Sequence, residues 1–455
     1  MSSVMSMSPE EIKSAIRNGA LTVSVIGLGW MGLPTAVLFV EAGAKVIGVD
    51  VDSRVVELIR TGRSHIDEPG VQQIITEHIG KRLSVTTNTR EAASQSDVIL
   101  IIVPTNIDNM HKPDYSPVEK SCKEIGLAMR RGCAVIVECT VGSGVTEGIV
   151  RKILEDKSGL KAGVDFGLAY SPIRAMAGSV VKNIQTYSKI VGGIDERSAD
   201  VAAAVLVSIV KGEIIRVKDL KTAEAAKLFE NTYRDVNIAL ASELALFCEK
   251  AGLDFVKVRE AAITQPYCHL HLPRVGVGGH CIPFNPYFLV SEAESVGVDL
   301  RLVKYARRVN DNTPSHIVDL IAIGLRGCRK SLKRSKIAVL GISYSNDVKE
   351  ARNSPALKII EMLTKKGAKV KVYDPFYSAA EIEKMGFNAT ESFEKAVEGV
   401  DCVLIAAGHE QFKRLKMGDV ARLVRKPACV VDGWRIFDAK EVETNDLAYY
   451  GVGFG

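Results

Sequence analysis

The sequence predicts an α/β protein made of two doubly wound parallel-sheet domains joined by a helical domain with a long spine helix. Three observations carry this prediction. Near the start, an apolar run breaks at Gly27-Leu28-Gly29-Trp30-Met31-Gly32 and continues as a helical pattern. Near the end, a similar strand–helix–strand pattern returns, with Gly367-Ala368-Lys369-Val370 and Asp374 matching Gly43-Ala44-Lys45-Val46 and Asp50. Between them, 222–250 contains neither Pro nor Gly. The length of 455 residues fits about three domains at ~150 residues each. The 47% hydrophobic content excludes disorder for most of the chain.

The elements follow in order. Ser8-Pro9-Glu10-Glu11 reads as a helix start, with Ser as N-cap, Pro at the first helical position and Glu at the third, and the helix runs to about Arg17. Thr22–Ile26 is a buried strand, 33–42 a helix closed by Gly43, and 45–50 a second strand. The apolar runs 98–103 and 134–138 are further strands separated by helical patterns, which implies a parallel sheet covered on both faces. Leu228, Thr232, Val236, Ala239, Leu240, Leu244 and Phe247 keep helical spacing, so 222–250 is a helix ~40 Å long, a natural spine and dimer surface. In the C-terminal third, Lys336–Leu340 ends at Gly341, a helix spans 355–366, and Lys369–Tyr373 ends at Asp374. Asp97-Val98-Ile99-Leu100-Ile101 likewise matches Asp401-Cys402-Val403-Leu404-Ile405. The expected domains are 1–212, 213–325 and 326–455.

Charge and cysteine usage bound the setting. Lys and Arg number 59 against 54 Asp and Glu, and no basic run stands out, which argues against a nucleic-acid partner. Nine scattered Cys with no CxxC pair read as reduced thiols. The first residues are polar, and no apolar run approaches the ~20 residues of a membrane span. A cytoplasmic protein without a membrane anchor is expected.

The first glycine turn has the context that a dinucleotide fingerprint requires: a strand before it, a helix after it, and Asp50 at the end of the next strand. Gly27 permits the tight turn, Gly29 lets the backbone approach a pyrophosphate, and Gly32 allows close helix–strand packing. Asp50 would accept ribose hydroxyls and repel a 2′-phosphate, favouring NAD over NADP. This domain is therefore Rossmann-like. The second has no GxGxxG and a longer first loop, from Gly341 to Asp374, and should not hold a dinucleotide in the same way.

A second glycine-rich segment, Val275-Gly276-Val277-Gly278-Gly279-His280-Cys281-Ile282-Pro283, carries one Cys. Small neighbours expose the thiol, and His280 could stabilise a thiolate. An inert Cys in a tight turn is the competing reading. Cys268, His269, His271, His280 and Cys281 are all metal-ligand types, but their spacing fits no common zinc pattern, so no metal is expected.

Along nearly its whole length the chain resembles the UDP-glucose/GDP-mannose dehydrogenase family. The segments that carry the resemblance are VIGLGWMGLPTA (25–36), IIVPT (101–105), ECTVGSG (138–144), ENTYRDVNIALASELALFCEKAGLD (230–254), GVGGHCIP (276–283) and Asp374-Pro375. The helix run and the Gly-Gly-His-Cys-Ile-Pro loop look most like the UDP-N-acetylmannosamine dehydrogenase branch. The resemblance implies an NAD domain, a helical dimerisation domain and a UDP-sugar domain, and a four-electron oxidation of the sugar C6 hydroxyl through a thiohemiacetal and a thioester on Cys281. It places NAD against Gly27, Gly29, Trp30, Met31, Gly32, Asp50, Pro104, Thr105 and Thr140. Lys227 matches the lysine that stabilises the oxyanion, Asn231 its partner one turn on, and Thr140 the threonine near the nicotinamide and C6. Arg174, Arg234, Gly279, His280 and Arg352 complete the expected contacts to the UDP-sugar. A homodimer through the central helix, or a larger assembly, is implied.

The chain departs from the family pattern near the chemistry. Ile173 stands for the glutamate of Ser-Pro-Glu-Arg, and Asn285 for the aspartate four residues after the Cys. Ser345 replaces the phosphate-facing lysine, and Asn106 and Ala177 replace prolines. Neither an amide nor Ile can act as a base. Three readings stay open: a dehydrogenase with substituted water activation, one acting on another sugar such as UDP-glucose or a different UDP-hexosamine, and a nucleotide-sugar-binding paralogue impaired in acid formation. A β-hydroxyacid dehydrogenase shares the NAD domain and long helix but gives no reason for the Cys loop or the second α/β domain.

Overall fold

The computed structural model describes residues 3–455. They divide into two compact units, one running to Glu230 and including Tyr287–Gly297, the other comprising Asn231–Pro286 and Val298–Gly455.

The first unit is an eight-stranded sheet. Its strands lie in the spatial order Ile214–Arg216, Lys189–Gly193, Gly167–Tyr170, Ala134–Val137, Val98–Ile101, Thr22–Ile26, Lys45–Val49, Leu83–Thr86. Neighbours are parallel except Gly167–Tyr170 with Lys189–Gly193, which run antiparallel. Alternation sorts the side chains: Val98 and Leu100 enter one apolar layer, Ile99 and Ile101 the other. Chain order reverses between Thr22–Ile26 and Val98–Ile101, and such a reversal opens a crevice at the strand C-termini. Gly27 and the 102–105 segment leave the sheet at that point. The leading helix spans Pro9–Arg17 and has the expected capping box, Ser8 with Glu11.

The second unit carries a five-stranded parallel sheet in the order Lys369–Tyr373, Lys336–Leu340, Cys402–Ile405, Ala428–Asp432, Leu447–Gly451. The pseudo-repeat extends to side-chain bonds. Asp97 Oδ2 accepts the Thr22 amide at 2.9 Å, and Asp401 Oδ2 accepts the Lys336 amide at 2.8 Å. Arg130 and Arg425 hold the other oxygen of each. Asp50 Oδ2 accepts the Leu28 amide, and Asp374 Oδ2 accepts the Ile342 amide, so each carboxylate closes the first loop of its sheet. Each such loop opens on a left-handed glycine, Gly27 at φ +97° and Gly341 at φ +92°.

The long helix covers Leu220–Ala251, about 48 Å, slightly beyond the predicted limits at both ends. A second long helix, Arg301–Gly327, carries Pro314 inside it. Among the described residues no helix is long and apolar enough to cross a membrane.

Candidate active site

Within the first unit, the glycine turn has the shape the fingerprint requires. A Cβ on Gly27 would lie 2.5 Å from Ile102 O, and one on Gly32 would overlap Gly27 O, so backbone packs tightly against both. Gly29 has nothing within 4 Å and faces open space. The helix Gly32–Glu41 begins at Met31 with no side-chain cap and no acid in its first turn, which leaves amides available to an anion. Asp50 stands at the end of Lys45–Val49, bonded to the Leu28 and Asp52 amides. These residues fit a dinucleotide: a cradle without side chains beside an acceptor for a ribose. Trp30 and Met31 pack on the core under this turn.

Thr105 Oγ1 donates to Thr140 O at 2.8 Å, which ties the ends of Val98–Ile101 and Ala134–Val137 together. The turn after Thr140 is gripped by three side chains. Tyr115 Oη accepts the Gly142 amide, Glu292 that of Ser143, and Glu224 those of Gly144 and Thr146. Burial pushes Glu224 up to about 7. Below the turn, Glu138 pairs with Lys189 at 2.5 Å in the interior, and burial raises the carboxyl against the pull of the ammonium.

Lys227 is buried on the long helix and pairs with Glu230 at 3.0 Å. Glu230 also receives Arg174 Nε at 2.8 Å. The first unit thus brings Lys227 and Arg174 together through a carboxylate that the sequence reading passed over. Its signal was available: Glu230 lies three residues after Lys227, on the same helical face. Ile173, beside Arg174, is 8% exposed and contributes no charge.

The second unit holds the Cys loop. Cys281 is exposed, Cys268 half-buried, and the other seven cysteines are buried. Burial raises the Cys133 and Cys139 thiols to about 12 and pushes Cys122 well up too, which makes them poor nucleophiles. Cys281 sits one turn before the helix Asn285–Ser295, and its carbonyl accepts the Asn285 amide at 2.9 Å. Burial, then the Arg352 guanidinium, hold the His280 imidazole below the usual range, so it is neutral near pH 7.

The glycines of the loop are forced by Tyr344 and Pro355. Gly276 and Gly279 have φ of +141° and +84°. A Cβ on Gly279 would lie 2.9 Å from the Tyr344 ring, and one on Gly278 would lie 2.7 Å from both Tyr344 Cβ and Pro355 Cδ. Asn353 Nδ2 donates to Gly279 O at 3.3 Å. Burial, then the charge of Cys281, push the Tyr344 phenol up to about 12. Arg352 is chelated by Glu350, with Nε at 3.0 Å from both oxygens, and keeps 60% of its side chain exposed. Asn231 Nδ2 donates to Asn285 Oδ1 at 2.6 Å, and both residues are buried. Arg234 is exposed on the same helix. Among the described residues no three His, Cys, Asp or Glu side chains converge as a metal-holding group.

Sequence models of the UDP-glucose/GDP-mannose dehydrogenase family match three stretches: the NAD binding domain at 21–210, the central domain at 221–312 and the UDP binding domain at 338–439. The chain is 36% identical over 435 residues to the UDP-N-acetyl-D-mannosamine dehydrogenase of Pyrococcus horikoshii, covering 96% of this chain and 100% of that one. A solved structure of UDP-D-ManNAc dehydrogenase from the same organism aligns with a TM-score of 0.88 at 36% identity, with the same coverage. The structure of a UDP-glucose dehydrogenase from Pyrobaculum islandicum aligns with a TM-score of 0.84 at 27% identity, covering 96% and 98%. The chain belongs to the UDP-glucose/GDP-mannose dehydrogenase family, and is an NAD-dependent nucleotide-sugar dehydrogenase acting on CH–OH.

Proposed function

We propose that this chain oxidises the C6 hydroxyl of UDP-N-acetylmannosamine to the uronate in two steps on Cys281. The observation that carries the reading is the single exposed thiol among nine, on a glycine loop leading into a helix N-terminus. The mannosamine assignment rests on the relatives named for that substrate.

The nicotinamide, when bound, accepts a hydride from C6 in each oxidation. The first oxidation leaves an aldehyde, and the hydroxyl proton is released. The Cys281 thiolate adds to the aldehyde carbon, and the carbonyl oxygen becomes an oxyanion that Lys227 and Asn231 stabilise before it is protonated to the thiohemiacetal. Loss of the second hydride from C6, with release of the thiohemiacetal hydroxyl proton, gives a thioester. Water adds to its carbon, the C–S bond breaks, and Cys281 leaves as thiolate as the acid forms. Arg174, Arg234, Gly279 and Arg352 bind the UDP-sugar, with Ser345 where the family carries lysine. Gly27, Gly29, Gly32, Asp50, Pro104, Thr105 and Thr140 hold NAD.

We assign the domains as 1–212 for NAD, 213–325 for the helical centre and 326–455 for the UDP-sugar, in a cytoplasmic homodimer. Tyr233, Leu240, Leu244 and Phe247 support the dimer: they are all exposed, on one helix, at spacings of seven, four and three.

A second reading has its own support. Asn285 accepts a bond from Asn231 and cannot take a proton from water, and Ile173 cannot either. On that reading the chain binds the nucleotide sugar and stops short of the acid. NADH formed per UDP-sugar consumed separates the two. Two NADH are expected, falling to one or none for Cys281→Ser. One NADH from the native chain points to arrest at the aldehyde. No NADH with any UDP-sugar, while the sugars still bind, supports the paralogue.

A further inference from the structure

We propose that Glu230 is a positioning residue of this reaction: its carboxylate holds Lys227 and Arg174 together and fixes the ammonium for the oxyanion. The proposal deepens the dehydrogenase reading above and rests on it.

Glu230 Oε1 lies 3.0 Å from Lys227 Nζ, and Oε2 lies 2.8 Å from Arg174 Nε. Arg174 Nη1 also donates to Ser188 O at 3.1 Å. One carboxylate therefore bridges two cations, one from the long helix and one from the Ser171-Pro172-Ile173-Arg174 segment, 56 residues earlier. An i,i+3 ion pair standing alone on a helix surface holds its lysine only weakly. The Lys227 arm is local, within one helix turn, whereas the Arg174 arm is a tertiary tie that fixes the shared carboxylate. The Lys227 side chain is 9% exposed and that of Glu230 29%, so water competes weakly for the pair.

The tie has a chemical use. A lysine has four flexible carbons and loses much rotamer freedom on fixation. Oxyanion stabilisation requires its Nζ to be placed before the charge develops. Of three N–H donors, one on Glu230 leaves two for substrate. Ile173, beside Arg174, is uncharged, and Glu230 supplies the negative charge that the structure sets on Lys227.

Glu230→Gln and Glu230→Asp in the full chain test this. Gln keeps the shape but cannot bridge two cations, and kcat should fall about 10- to 100-fold. KM for NAD and the unfolding midpoint should stay close to wild type, and Asp should recover part of the loss. Reductive methylation read by peptide mass spectrometry supplies a readout that needs no turnover: Lys227 should react at least about threefold faster in the Gln variant, with exposed Lys333 as internal standard. Unchanged kcat with unchanged Lys227 reactivity overturns the proposal. So does a kcat loss matched by equal losses in NAD affinity or folding, which marks a plain structural tie. If the native chain makes no NADH from any UDP-sugar, the dehydrogenase reading fails, and the Lys227 rate alone decides whether Glu230 positions it.

Discussion

Gly29 and Gly32, three residues apart, are glycine for different reasons. A methyl group at Gly29 meets nothing within 4 Å, whereas one at Gly32 overlaps the Gly27 carbonyl. Gly29→Ala should therefore fold with an unaltered unfolding midpoint and raise KM for NAD at least about tenfold, since the methyl occupies cofactor space. Gly32→Ala should lower the midpoint itself. Thermal melts beside NAD titrations check both. The amide pair Asn231–Asn285 gives an ordered prediction of the same kind. Asn285→Asp keeps an acceptor opposite Asn231 Nδ2, whereas Asn231→Asp sets two acceptors 2.6 Å apart in a buried place. The second should cost about 1–3 kcal/mol and the first less, as read from the two denaturation midpoints.

At the scale of elements, the turn after Thr140 depends on carboxylates supplied by two helices. Glu224 comes from the long helix and Glu292 from Asn285–Ser295. Glu224 holds its proton up to about 7 because burial outweighs the two amides that donate to it. The unfolded chain releases that proton near 4.5. Between those values the native state binds more protons than the unfolded one, so stability falls as pH rises, and the slope ends above about 7. Roughly 3 kcal/mol is the upper bound. Unfolding midpoints from pH 5 to 8 should show this slope in the native chain and a flatter one in Glu224→Gln. Helix starts were easier to read than this. Ser8, Pro9 and Glu11 announce a helix by local bonds alone, and it forms over Pro9–Arg17 as expected.

For the whole molecule, the two sheets repeat one construction down to the aspartates that close their first loops. Asp50 and Asp97 in one correspond to Asp374 and Asp401 in the other. The difference in loop length fits a division of labour. The short loop at Gly27 leaves space at Gly29, whereas the long one after Gly341 carries Tyr344 and Arg352. The proposed homodimer makes a prediction at this scale. Phe247→Asp should halve the mass seen by sedimentation velocity, because it places a charge in the exposed apolar row of the long helix.

The sequence by itself determined the fold class, the dinucleotide turn, the long helix and the thiol to watch. These are local signals: glycine spacing, apolar periodicity, caps and a Cys among small residues. The antiparallel pairing of Gly167–Tyr170 with Lys189–Gly193 left no such mark. Nor did the Arg174 arm of the Glu230 carboxylate, the grip on the turn after Thr140, or the neutral state of His280. Arg174 and Glu230 stand 56 residues apart, and Ser143 and Glu292 stand 149 apart. Only tertiary structure decided those pairs, because burial and charge act through space, and residue spacing along a chain records neither.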